Sequence, residues 1–507
     1  MGNWEYLLMP LLDLKLLFLT IIGTFAGMWV GAIPGLSVTM AASLLISFTF
    51  SWDLYSALAL ICGVYMGGVY GGSITAILIN IPGAPAAIAT VFDGYPLAQR
   101  GEAGRAIGLA VTTSLIGGLI GVIILAIGAP AVSKFALKFG PREYFLLGVM
   151  GILLITGMGQ GSMVKGIIAG ALGVLLSTVG LDPSTGELRY TFGTVYLMQG
   201  ISFIPAMIGL FGVSEALFQV RGGALPPIKQ VVDKVIPDLK TVLKHLPLVI
   251  RSSLIGVWIG ALPGTGGDVA ALIAYDSARR TVKNPSRPFG QGAYEGVIAP
   301  ESANNAAIGG AFIPMLTLGI PGDAVTAIII GALFIHGLKP GPLLMIETPQ
   351  VFWVIVSCLT ISAITMVLLV LSTLKVFLKL IEIPKNILMP MVVMLSVIGT
   401  YAIQNSLTDV YWMLGFGILG YFMRLYGYAV GPMVLGIILG PIIETNFRRS
   451  MQLAENNPLA FIGDLFSYPI SLVLSIAIIY MIVSQTGLLK NLRKGREAVY
   501  SDGKGSS

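Results

Sequence analysis

The residues GMWVGAIPG at 27–35 return as GVWIGALPG at 256–264, with six of nine positions identical. A second phrase, NIPG at 80–83, returns as GIPG at 319–322, in the same order and at nearly the same interval. In each case Pro and Gly interrupt a long apolar stretch, which breaks a membrane helix and leaves backbone N–H and C=O groups unpaired. Hydrocarbon tolerates such groups only where they line a cavity or meet a ligand. The repeat therefore predicts two copies of one membrane unit, with a transport site at the breaks.

The composition is that of an integral membrane protein with many spans. Hydrophobic residues make up 55% of the 507 and charged residues only 11%, whereas a soluble domain carries about 25% charged residues. The mean hydropathy is +0.88. The net charge of +6 is concentrated in loops and tails. It therefore follows the positive-inside bias and does not indicate nucleic-acid binding.

Cysteine and histidine are too few for a disulfide framework or a transition-metal site. Cys62 and Cys358 each lie in an apolar segment, and we expect both to be packing residues. His245 and His336 are the only histidines and are far from each other and from the cysteines in sequence. This argues against histidine-based metal catalysis, and we expect no cofactor other than a coupling ion.

The apolar stretches form two matching series, since a span needs about 20 mainly apolar residues. The first series covers 13–50, 54–92, 106–133, 144–158, 163–181 and 197–220. The second covers 249–278, 294–338, 350–374, 387–403, 408–424 and 428–446, and an extra span over 466–485 follows. We therefore predict an all-α polytopic membrane protein with two inverted repeats, each with a re-entrant helical hairpin and a Pro-Gly-broken helix, and about 11 crossings in total.

The positions of basic residues predict the inversion. Four basic residues between 279 and 287 place both ends of 249–278 in the cytoplasm, which makes this segment a re-entrant hairpin. Each half then has an odd number of crossings, so the second half is upside down relative to the first. The loop at 134–142 disagrees, because it carries three basic residues and this count places it outside.

The same patterns divide the chain into five parts. We predict a first membrane repeat over 1–220, an amphipathic cytoplasmic connector over 221–248, an inverted second repeat over 249–447, an extra transmembrane span within 448–489 and a basic cytoplasmic tail over 490–507. The connector and the tail are placed in the cytoplasm because both are rich in Lys and Arg.

The residues at the breaks form the predicted substrate site. A helix N-terminus exposes unpaired N–H donors and a partial positive charge, so two opposed tips near mid-membrane suit an anion. The candidate substrate-binding residues are Pro34, Gly35, Ser37, Thr39, Asn80, Pro82, Gly83, Pro263, Gly264, Thr265, Gly266, Pro321 and Gly322. The alternative is that Ser, Thr and Asp after Pro-Gly are ordinary N-caps, which is open for any single tip. The duplication favours a functional site.

A coupling cation is predicted beside the substrate. The candidate ligands are Ser73, Thr75, Asp268, Asn304, Asn305, Thr317 and Asp323. Freed carbonyls joined by Asn, Thr or Asp oxygens suit a hard cation such as sodium, and no transition metal is expected. The alternative is that the buried Asn residues only form interhelical hydrogen bonds, worth about 1 kcal/mol. Whether Glu301 and Asp323 lie inside the membrane or at a loop edge is open at this stage.

The two tips differ, which predicts different roles for them. The residues after the first Pro-Gly are LSVT at 36–39, whereas those after the second are TGGD at 265–268. Our hypothesis is that the hydroxyl-rich first tip and 80–83 favour the carboxylate, while Asp268 and the Asn304–Asn305 region favour the cation.

Two polar stretches after the first broken segment are predicted to be structural. DGYP at 93–96 is typical of a turn, because Asp, Gly and Pro are common turn residues. RGEAGR at 100–105 is interpreted as a solvated loop. Neither stretch is assigned a role in transport.

Long phrases of this chain resemble one known family. In order, they are GAIPGLSVTMAASLL, YGGSITAILINIPGAPAAIATVFDGYPLAQRGEAGRAIG, GALPGTGGDVAALIAYDSAR and YEGVIAPESANNAAIGGAFIPMLTLGIPGDAVTAIIIGAL. They resemble the large membrane subunit (TctA family) of the tripartite tricarboxylate transporters, over about residues 20–446. The resemblance implies a multi-pass secondary carrier of the bacterial inner membrane, and not an enzyme.

The resemblance also implies partners and a cargo. A small membrane subunit with about four spans and a periplasmic solute-binding protein that delivers the substrate are expected, in a lipid bilayer and without nucleic acid. The implied cargo is a carboxylate, citrate among those known in the family, taken up with sodium or protons. An elevator-like movement of both hairpins is a hypothesis from the two-tip arrangement.

An intramembrane aspartyl protease is the alternative from another class. Such proteases use a YD pair on one span and a GxGD phrase on another, and here Tyr275–Asp276 and GIPGD at 319–323 come close. Pro321 interrupts the second phrase, Asp276 stands next to basic residues, and a protease does not explain the duplicated breaks. A channel is also disfavoured, because no ring of charges or carbonyl filter is evident.

Overall fold

The computed structural model describes residues 5–33, 36–158, 163–182, 185–221, 239–381 and 385–485, together with Val232 and Val235. The predicted substrate residues Pro34 and Gly35, most of the connector and the basic tail lie outside the described residues.

The described chain is almost entirely helical. Up to the connector, its helices are α1 Glu5–Leu12, α2 Leu14–Ala32, α3 Val38–Thr49, α4 Leu54–Ile79, α5 Ile88–Gln99, α6 Ala103–Ala136, α7 Pro141–Met158, α8 Met163–Ser177, α9 Val195–Met198, α10 Phe203–Met207 and α11 Ser214–Val220. A 3-10 turn, Pro85–Ala87, precedes α5, and a π-helical turn, Ile208–Val213, joins α10 to α11. Strands β1 Gly180–Leu181 and β2 Leu188–Arg189 form a small antiparallel hairpin.

The second half continues the helical pattern. Its helices are α12 Leu239–Lys244, α13 Leu246–Gly260, α14 Gly266–Thr281, α15 Glu295–Leu318, α16 Ala324–Ile335, α17 Leu344–Glu347, α18 Pro349–Ile381, α19 Lys385–Gln404, α20 Leu407–Leu425, α21 Val430–Leu453, α22 Pro458–Ser467 and α23 Pro469–Gln485. The predicted hairpins correspond to α2 with α3 and to α13 with α14, and the predicted broken helices to α4 with α5 and to α15 with α16.

Seven stretches of the described chain are helical, long and apolar enough to cross a membrane. They are Leu14–Ala32, Leu54–Ile79, Ala103–Ala136, Phe203–Val220, Pro349–Leu374, Ile387–Gln404 and Val430–Leu453, and α22 with α23, which meet at 100°, add an eighth if they form one broken span. A helical multi-pass membrane protein is therefore confirmed. The inverted orientation and the count of about 11 crossings stay predictions.

The chain folds into two compact units, each built from two separate stretches. Unit one consists of residues 1–137 and 202–426, and unit two of 138–201 and 427–507. Unit one contains both helical hairpins and both broken helices, so every candidate site residue belongs to it. The five-part division of the sequence stays a prediction.

The sequence repeat corresponds to one helix-packing arrangement that occurs twice in unit one. Helix α2 packs along α4, and α13 packs along α15. A Cβ atom at Gly31 would overlap the carbonyl oxygen of Gly68, and a Cβ atom at Gly260 would overlap that of Ala307. Gly31 and Gly260 occupy the same position in GMWVGAIPG and GVWIGALPG. Gly68 and Ala307 are separated by the same interval as NIPG and GIPG. The glycines therefore permit the same backbone contact in both halves.

Both long helices end in the same backbone conformation. Helix α4 is followed by Asn80 with φ 61°, and α15 by Gly319 with φ 72°. Both values lie in the left-handed region, which ends a helix and turns the chain away from its axis. Asn and Gly are the residues that adopt this conformation at least cost. The break is thus imposed by the residue before Ile-Pro-Gly as well as by the proline.

After each break the chain returns to the paired helix. A Cβ atom at Gly83 would overlap the carbonyl oxygen of Gly31, and one at Gly322 would lie 2.7 Å from that of Gly260. The N–H of Gly83 also donates to the carbonyl of Gly72 at 3.1 Å. Each break therefore packs against the end of the helix that leads into the Pro-Gly tip.

Asp93 ties the first broken helix to the loop before the second. Its Oδ1 accepts the backbone N–H groups of Gly290, Gly292 and Ala293 at 2.8–2.9 Å, and its Oδ2 accepts the Tyr275 hydroxyl at 2.9 Å. The predicted turn at 93–96 was wrong, because these residues lie within α5. Four donors hold Asp93 and the residues around it in the helix, although Asp, Gly and Pro favour a turn.

The stretch RGEAGR is more ordered than a solvated loop. Helix α6 begins at Ala103, and Glu102 forms an ion pair with Arg287 at 2.5 Å. The Tyr294 hydroxyl donates to the same carboxylate at 2.9 Å, and the Arg105 guanidinium lies 4.3 Å from the centre of the Tyr294 ring. The loop therefore joins the first half of unit one to the second.

His245, at the start of α13, forms an ion pair with the buried Glu295. The His245 Nε2 lies 3.0 Å from Glu295 Oε1, and its Nδ1 lies 2.8 Å from the carbonyl oxygen of Thr241. The hydrogen bond to Glu295 raises the pKa of His245 above its usual value, outweighing burial and the nearby Lys244, which lower it.

Unit two has its own packing and ion pairs. Helices α7 and α8 pack against α21, and a Cβ atom at Gly173 would overlap the carbonyl oxygen of Met433. Arg189 bonds Glu444 at 2.5 Å, and Arg448 bonds Asp182 at 2.8 Å. None of the candidate site residues belongs to this unit.

We predict that Gly260→Ala destabilises the protein by about 1–3 kcal/mol, because the added methyl group meets the backbone of Ala307. The measurement is the midpoint of thermal unfolding of the purified protein. Gly415→Ala is the matched control, since a Cβ atom at this helical glycine has no neighbour within 4 Å. Equal midpoints for the two variants would show that close approach of α13 and α15 is not required.

We predict that the His245–Glu295 pair makes stability depend on pH. Because folding raises the pKa of His245, the pair stabilises the fold fully below the unfolded pKa of about 6.5. This contribution is lost as pH rises through the higher folded pKa. Thermal unfolding of wild type and His245→Gln should therefore differ at acidic pH and converge above it. A constant difference across the range would contradict the assignment.

Candidate functional site

Four helical segments in unit one begin at the two tips and the two breaks. They are α3 after Ser37, the 3-10 turn from Pro85, α14 from Gly266 and α16 from Ala324. Helix α3 packs against α16, while α14 packs against the 3-10 turn and α5. Each tip helix therefore contacts the segment that follows the break in the other half, and the two halves interlock.

The first tip carries hydroxyl groups and no charge. The Ser37 hydroxyl accepts the N–H of Met40 at 3.0 Å, so it caps α3 as the structural alternative predicts. Thr39 is half-buried, Asn80 is exposed, and Pro82 is half-buried. Residues 36–40 and 80–87 contain no charged side chain.

The second tip is a tight turn built by glycine. Gly264 and Gly266 have φ values of 79° and 64°, which other residues adopt only with strain. Thr265 is buried, and its hydroxyl donates to the carbonyl oxygen of Leu262 at 3.0 Å. Pro263 is buried within the same turn. Local hydrogen bonds and the two glycines therefore fix the conformation of the tip.

Asp323 lies directly beside the second tip. A Cβ atom at Gly266 would lie 3.2 Å from the Cβ of Asp323, which follows Pro321 and Gly322 in the second break. The Asp323 carboxylate caps α16 by accepting the Thr326 N–H at 2.8 Å, and it also accepts the Tyr65 hydroxyl. The second tip and the residues after the second break therefore lie side by side.

A second acidic side chain lies near the second tip. Asp268 lies in the first turn of α14 and is exposed, and its carboxylate is close enough to Asp323 for the two to repel each other. Paired carboxylates near a helix N-terminus attract a cation and repel an anion. A cation at the second tip stays a prediction.

Tyr65 and Asn304 occupy equivalent positions, related by the same interval as NIPG and GIPG, and both reach into the opposite half. The Tyr65 hydroxyl bonds Asp323 after the second break. The Asn304 amide nitrogen donates to the carbonyl oxygen of Ala86, at 3.2 Å, after the first break. Each of these two equivalent side chains therefore bonds a residue just after the break of the opposite half.

Glu301 is a fully buried carboxylate whose partners are three hydroxyl groups and the Asn304 side chain. The Ser73 hydroxyl lies 2.6 Å from Oε1, the Ser114 hydroxyl lies 2.8 Å from Oε2, and the Thr90 hydroxyl also bonds Oε1. No basic side chain in the described part of the chain forms an ion pair with it. Glu301 therefore lies inside the protein and not at a loop edge.

The other predicted cation ligands are bonded within their own helices. Thr75 donates to the carbonyl oxygen of Gly72 at 3.3 Å, and Thr317 to that of Ile313 at 2.7 Å. Asn305 donates to the side-chain oxygen of Asn304 at 2.7 Å, and its own buried Oδ1 has no partner. Within the described residues, no three His, Cys, Asp or Glu side chains gather as a metal site.

The structure does not assemble the dyad of an aspartyl protease. Asp276 forms an exposed ion pair with Arg280 at 2.8 Å. Asp323 lies beside Gly266, at the start of α14. Asp276 lies almost three helical turns further along α14, a rise of about 15 Å. Two carboxylates so far apart cannot share a proton.

Sequence reasoning missed the partners of Glu301 and the roles of Tyr65 and Asp93. Ser73, Thr90 and Ser114 belong to three helices, so no local spacing connects them. Tyr65 and Asn304 are separated by the same interval as NIPG and GIPG, so the sequence repeat could have identified these two residues as an equivalent pair.

The chain matches a family model and is similar to two proteins of Agrobacterium vitis. The model of the tripartite tricarboxylate transporter TctA family matches residues 17–435. An "uncharacterized 52.8 kDa protein in TAR-I ttuC' 3'region" of Agrobacterium vitis is 36% identical over 484 residues, which are 94% of each chain. A second Agrobacterium vitis protein, described as in the "TAR-II ttuC' 3'region", is 37% identical over 246 residues, covering 48% of this chain and 98% of that relative.

No solved structure matches the chain. The family model spans most of the sequence, including both tips and both breaks, and the first relative is covered almost from end to end. The chain belongs to the tripartite tricarboxylate transporter TctA family.

Proposed function

We propose that this chain is the transport subunit of a tripartite importer that carries a carboxylate, citrate or a related organic acid, across the bacterial inner membrane. A periplasmic binding protein delivers the cargo, a small four-span subunit completes the membrane complex, and a sodium or proton gradient drives uptake. The observation that carries the proposal is the reciprocal packing of α3 on α16 and of α14 on the 3-10 turn and α5.

The first tip and first break are the proposed carboxylate site. Residues 36–40 and 80–87 contain no charged side chain, and the N-terminus of α3 supplies N–H groups and partial positive charge. Ser37, Thr39 and Asn80 add polar groups that bond carboxylate oxygens. An anion is held here by dipoles and not by a fixed cation, which permits its release.

The second tip and second break are the proposed cation site. Asp268 and Asp323 repel each other, and a bound cation relieves that repulsion. The same cation removes the repulsion that two bare carboxylates exert on an incoming anion. Electrostatics therefore couple the two ligands, because the carboxylate binds more tightly once the cation is present.

The two hairpins are the proposed moving part. Tyr65 and Asn304 join the breaks of the two halves, so both tips belong to one body in unit one. We propose that this body moves as a whole in an elevator-like step, carrying both ligands.

We predict that Asp268→Asn raises the sodium concentration needed for half-maximal uptake by about tenfold, a loss of about 1.4 kcal/mol. The loss follows from removing one charge at the second tip. Uptake is measured in proteoliposomes that contain the membrane subunits and receive labelled citrate and related acids through the binding protein.

Asp276→Asn is the matched control for this measurement. Asp276 is an exposed acid on the same helix, paired with Arg280 and remote from the tip. Its sodium dependence should equal that of wild type. An unchanged sodium dependence in Asp268→Asn removes Asp268 from the cation site, and a wild-type system that carries no carboxylate refutes the proposed function.

A further inference from the structure

We propose that helix α22, Pro458–Ser467, lies flat in the interface between the bilayer and water, with one face embedded in phospholipid. The partner of this surface is the boundary between lipid headgroups and acyl chains, and not another protein. The inference goes beyond the proposed function, because it concerns unit two and involves no residue of the transport site.

The direction of α22 distinguishes it from a membrane span. Helices α22 and α23 meet at 100°, with only Tyr468 between them. Helix α23 has 17 residues and no charged side chain. It is about 25 Å long, and about 17 residues is the shortest length that crosses a bilayer. If α23 crosses alone, a helix at right angles to it runs along the membrane plane.

The two faces of α22 are reversed relative to those of a helix that faces water. Leu459, Ile462 and Phe466 share one helix face and are 80%, 51% and 44% exposed. On the opposite face, Phe461 is buried and Asp464, the one charged residue of α22, is half-buried. A helix on a water-facing surface has its charges outward and its apolar residues inward. The reversal therefore indicates that the outer face of α22 contacts lipid.

The inner face of α22 is held by an ion pair and by aromatic packing. Arg142, at the start of α7, forms an ion pair with Asp464, and its guanidinium lies 4.4 Å from the centre of the Tyr468 ring. The Phe461 ring lies 5.5 Å from the Phe447 ring of α21, measured between ring centres. These contacts fix which face of α22 points outward, so its exposed apolar side chains belong to the folded structure.

The residues before α22 locate the edge of the water layer. Glu455, Asn456 and Asn457 connect α21 to α22 and are exposed polar residues. The Asn457 side chain caps α22 by accepting the backbone N–H of Leu459 at 2.9 Å. The large side chains exposed from Leu459 onward in α22 are apolar. The change from polar to apolar exposure at this cap is what a helix entering the lipid interface requires.

The apolar face of α22 continues onto the exposed face of α23. Val473, Ile476 and Tyr480 are exposed apolar or aromatic residues of α23, and in a membrane span such residues face acyl chains. Phe466 and Tyr468 lie where the two helices meet, and aromatic side chains are enriched at the headgroup level. A partner span would run along α23 and cross α22 at one point only. Lipid covers both exposed faces at once, so the bilayer is the occupant that fits.

This position of α22 also bears on the membrane topology. Because α23 crosses once, α22 and the basic tail over 490–507 are at opposite surfaces. The loop at 134–142, whose three basic residues disagreed with the crossing count, ends at Arg142 and therefore at the surface of α22. With the tail in the cytoplasm, that end of the loop is outside, where the count placed it. Asp464 is the partner that accounts for a basic residue on that side.

The direct test is the environment of nitroxide labels on the full-length chain in phospholipid nanodiscs. Single cysteines are introduced by Ile462→Cys or, as the matched control, Asn457→Cys, in a chain that carries Cys62→Ala and Cys358→Ala. Both labelled positions are exposed, so the labels report on the surrounding medium. Oxygen concentrates in hydrocarbon, whereas a nickel chelate stays in water. We expect the Ile462 label to collide more with oxygen and the Asn457 label more with the chelate.

The depths of three labels distinguish an in-plane helix from one half of a broken span. Labels at Leu459, Ile462 and Phe466 should differ in depth by no more than about 5 Å, which allows α23 a tilt of about 20°. A helix along the membrane normal would change depth by about 10 Å over the same seven residues. Labels at Val473 and Tyr480, also seven residues apart, should show that larger change.

Three label results would overturn the proposal. Preferential collision of the Ile462 label with the nickel chelate would place α22 in water. Protection of this label from both reagents would show that protein covers the face. A depth change of about 10 Å from Leu459 to Phe466 would make α22 part of a broken span.

Sidedness supplies an independent test in membrane vesicles. Asn457→Cys and Ser501→Cys, the second in the basic tail, should react with a membrane-impermeant thiol reagent from opposite sides. Reaction of both from the same side would show that α23 does not cross alone, which would contradict the proposal. None of these measurements depends on transport, so a failure of the proposed function is recognised separately.

Discussion

A broken membrane helix must enclose its unpaired backbone groups, and the close glycine contacts in unit one meet this requirement twice. Gly31 and Gly260 let one helix approach the backbone of another, and each break then packs against the end of that same helix. This arrangement places the N-termini of α3 and α14 beside segments of the opposite half. The proposed ligand sites depend on those N-termini.

The two halves share a backbone plan but differ in charge. The first tip offers dipoles and hydroxyl groups, whereas the second adds Asp268 and Asp323. Glu301, deeper along α15, has hydroxyl partners where Asp93 has backbone N–H donors. We propose that this duplicated scaffold with unlike charges binds an anion and a cation at distinct places, as coupled uptake of a carboxylate requires.

The breaks were predictable because glycine and proline act locally on the backbone. NIPG and GIPG marked the ends of α4 and α15 directly. The surroundings of Glu301 were not predictable, since its three hydroxyl partners come from distant segments that only folding brings together. Local propensity also failed at 93–96, where four donors to Asp93 hold turn-forming residues in a helix.

The central claim is that the two halves interlock at their breaks, and the Asn304–Ala86 contact reports on it most directly. Cysteines at these two positions, in a chain whose Cys62 and Cys358 are replaced, would be treated with a short bifunctional thiol reagent in native membranes. The account predicts an intramolecular cross-link between the two cysteines. Efficient labelling of each cysteine singly, with no cross-link between them, would contradict it.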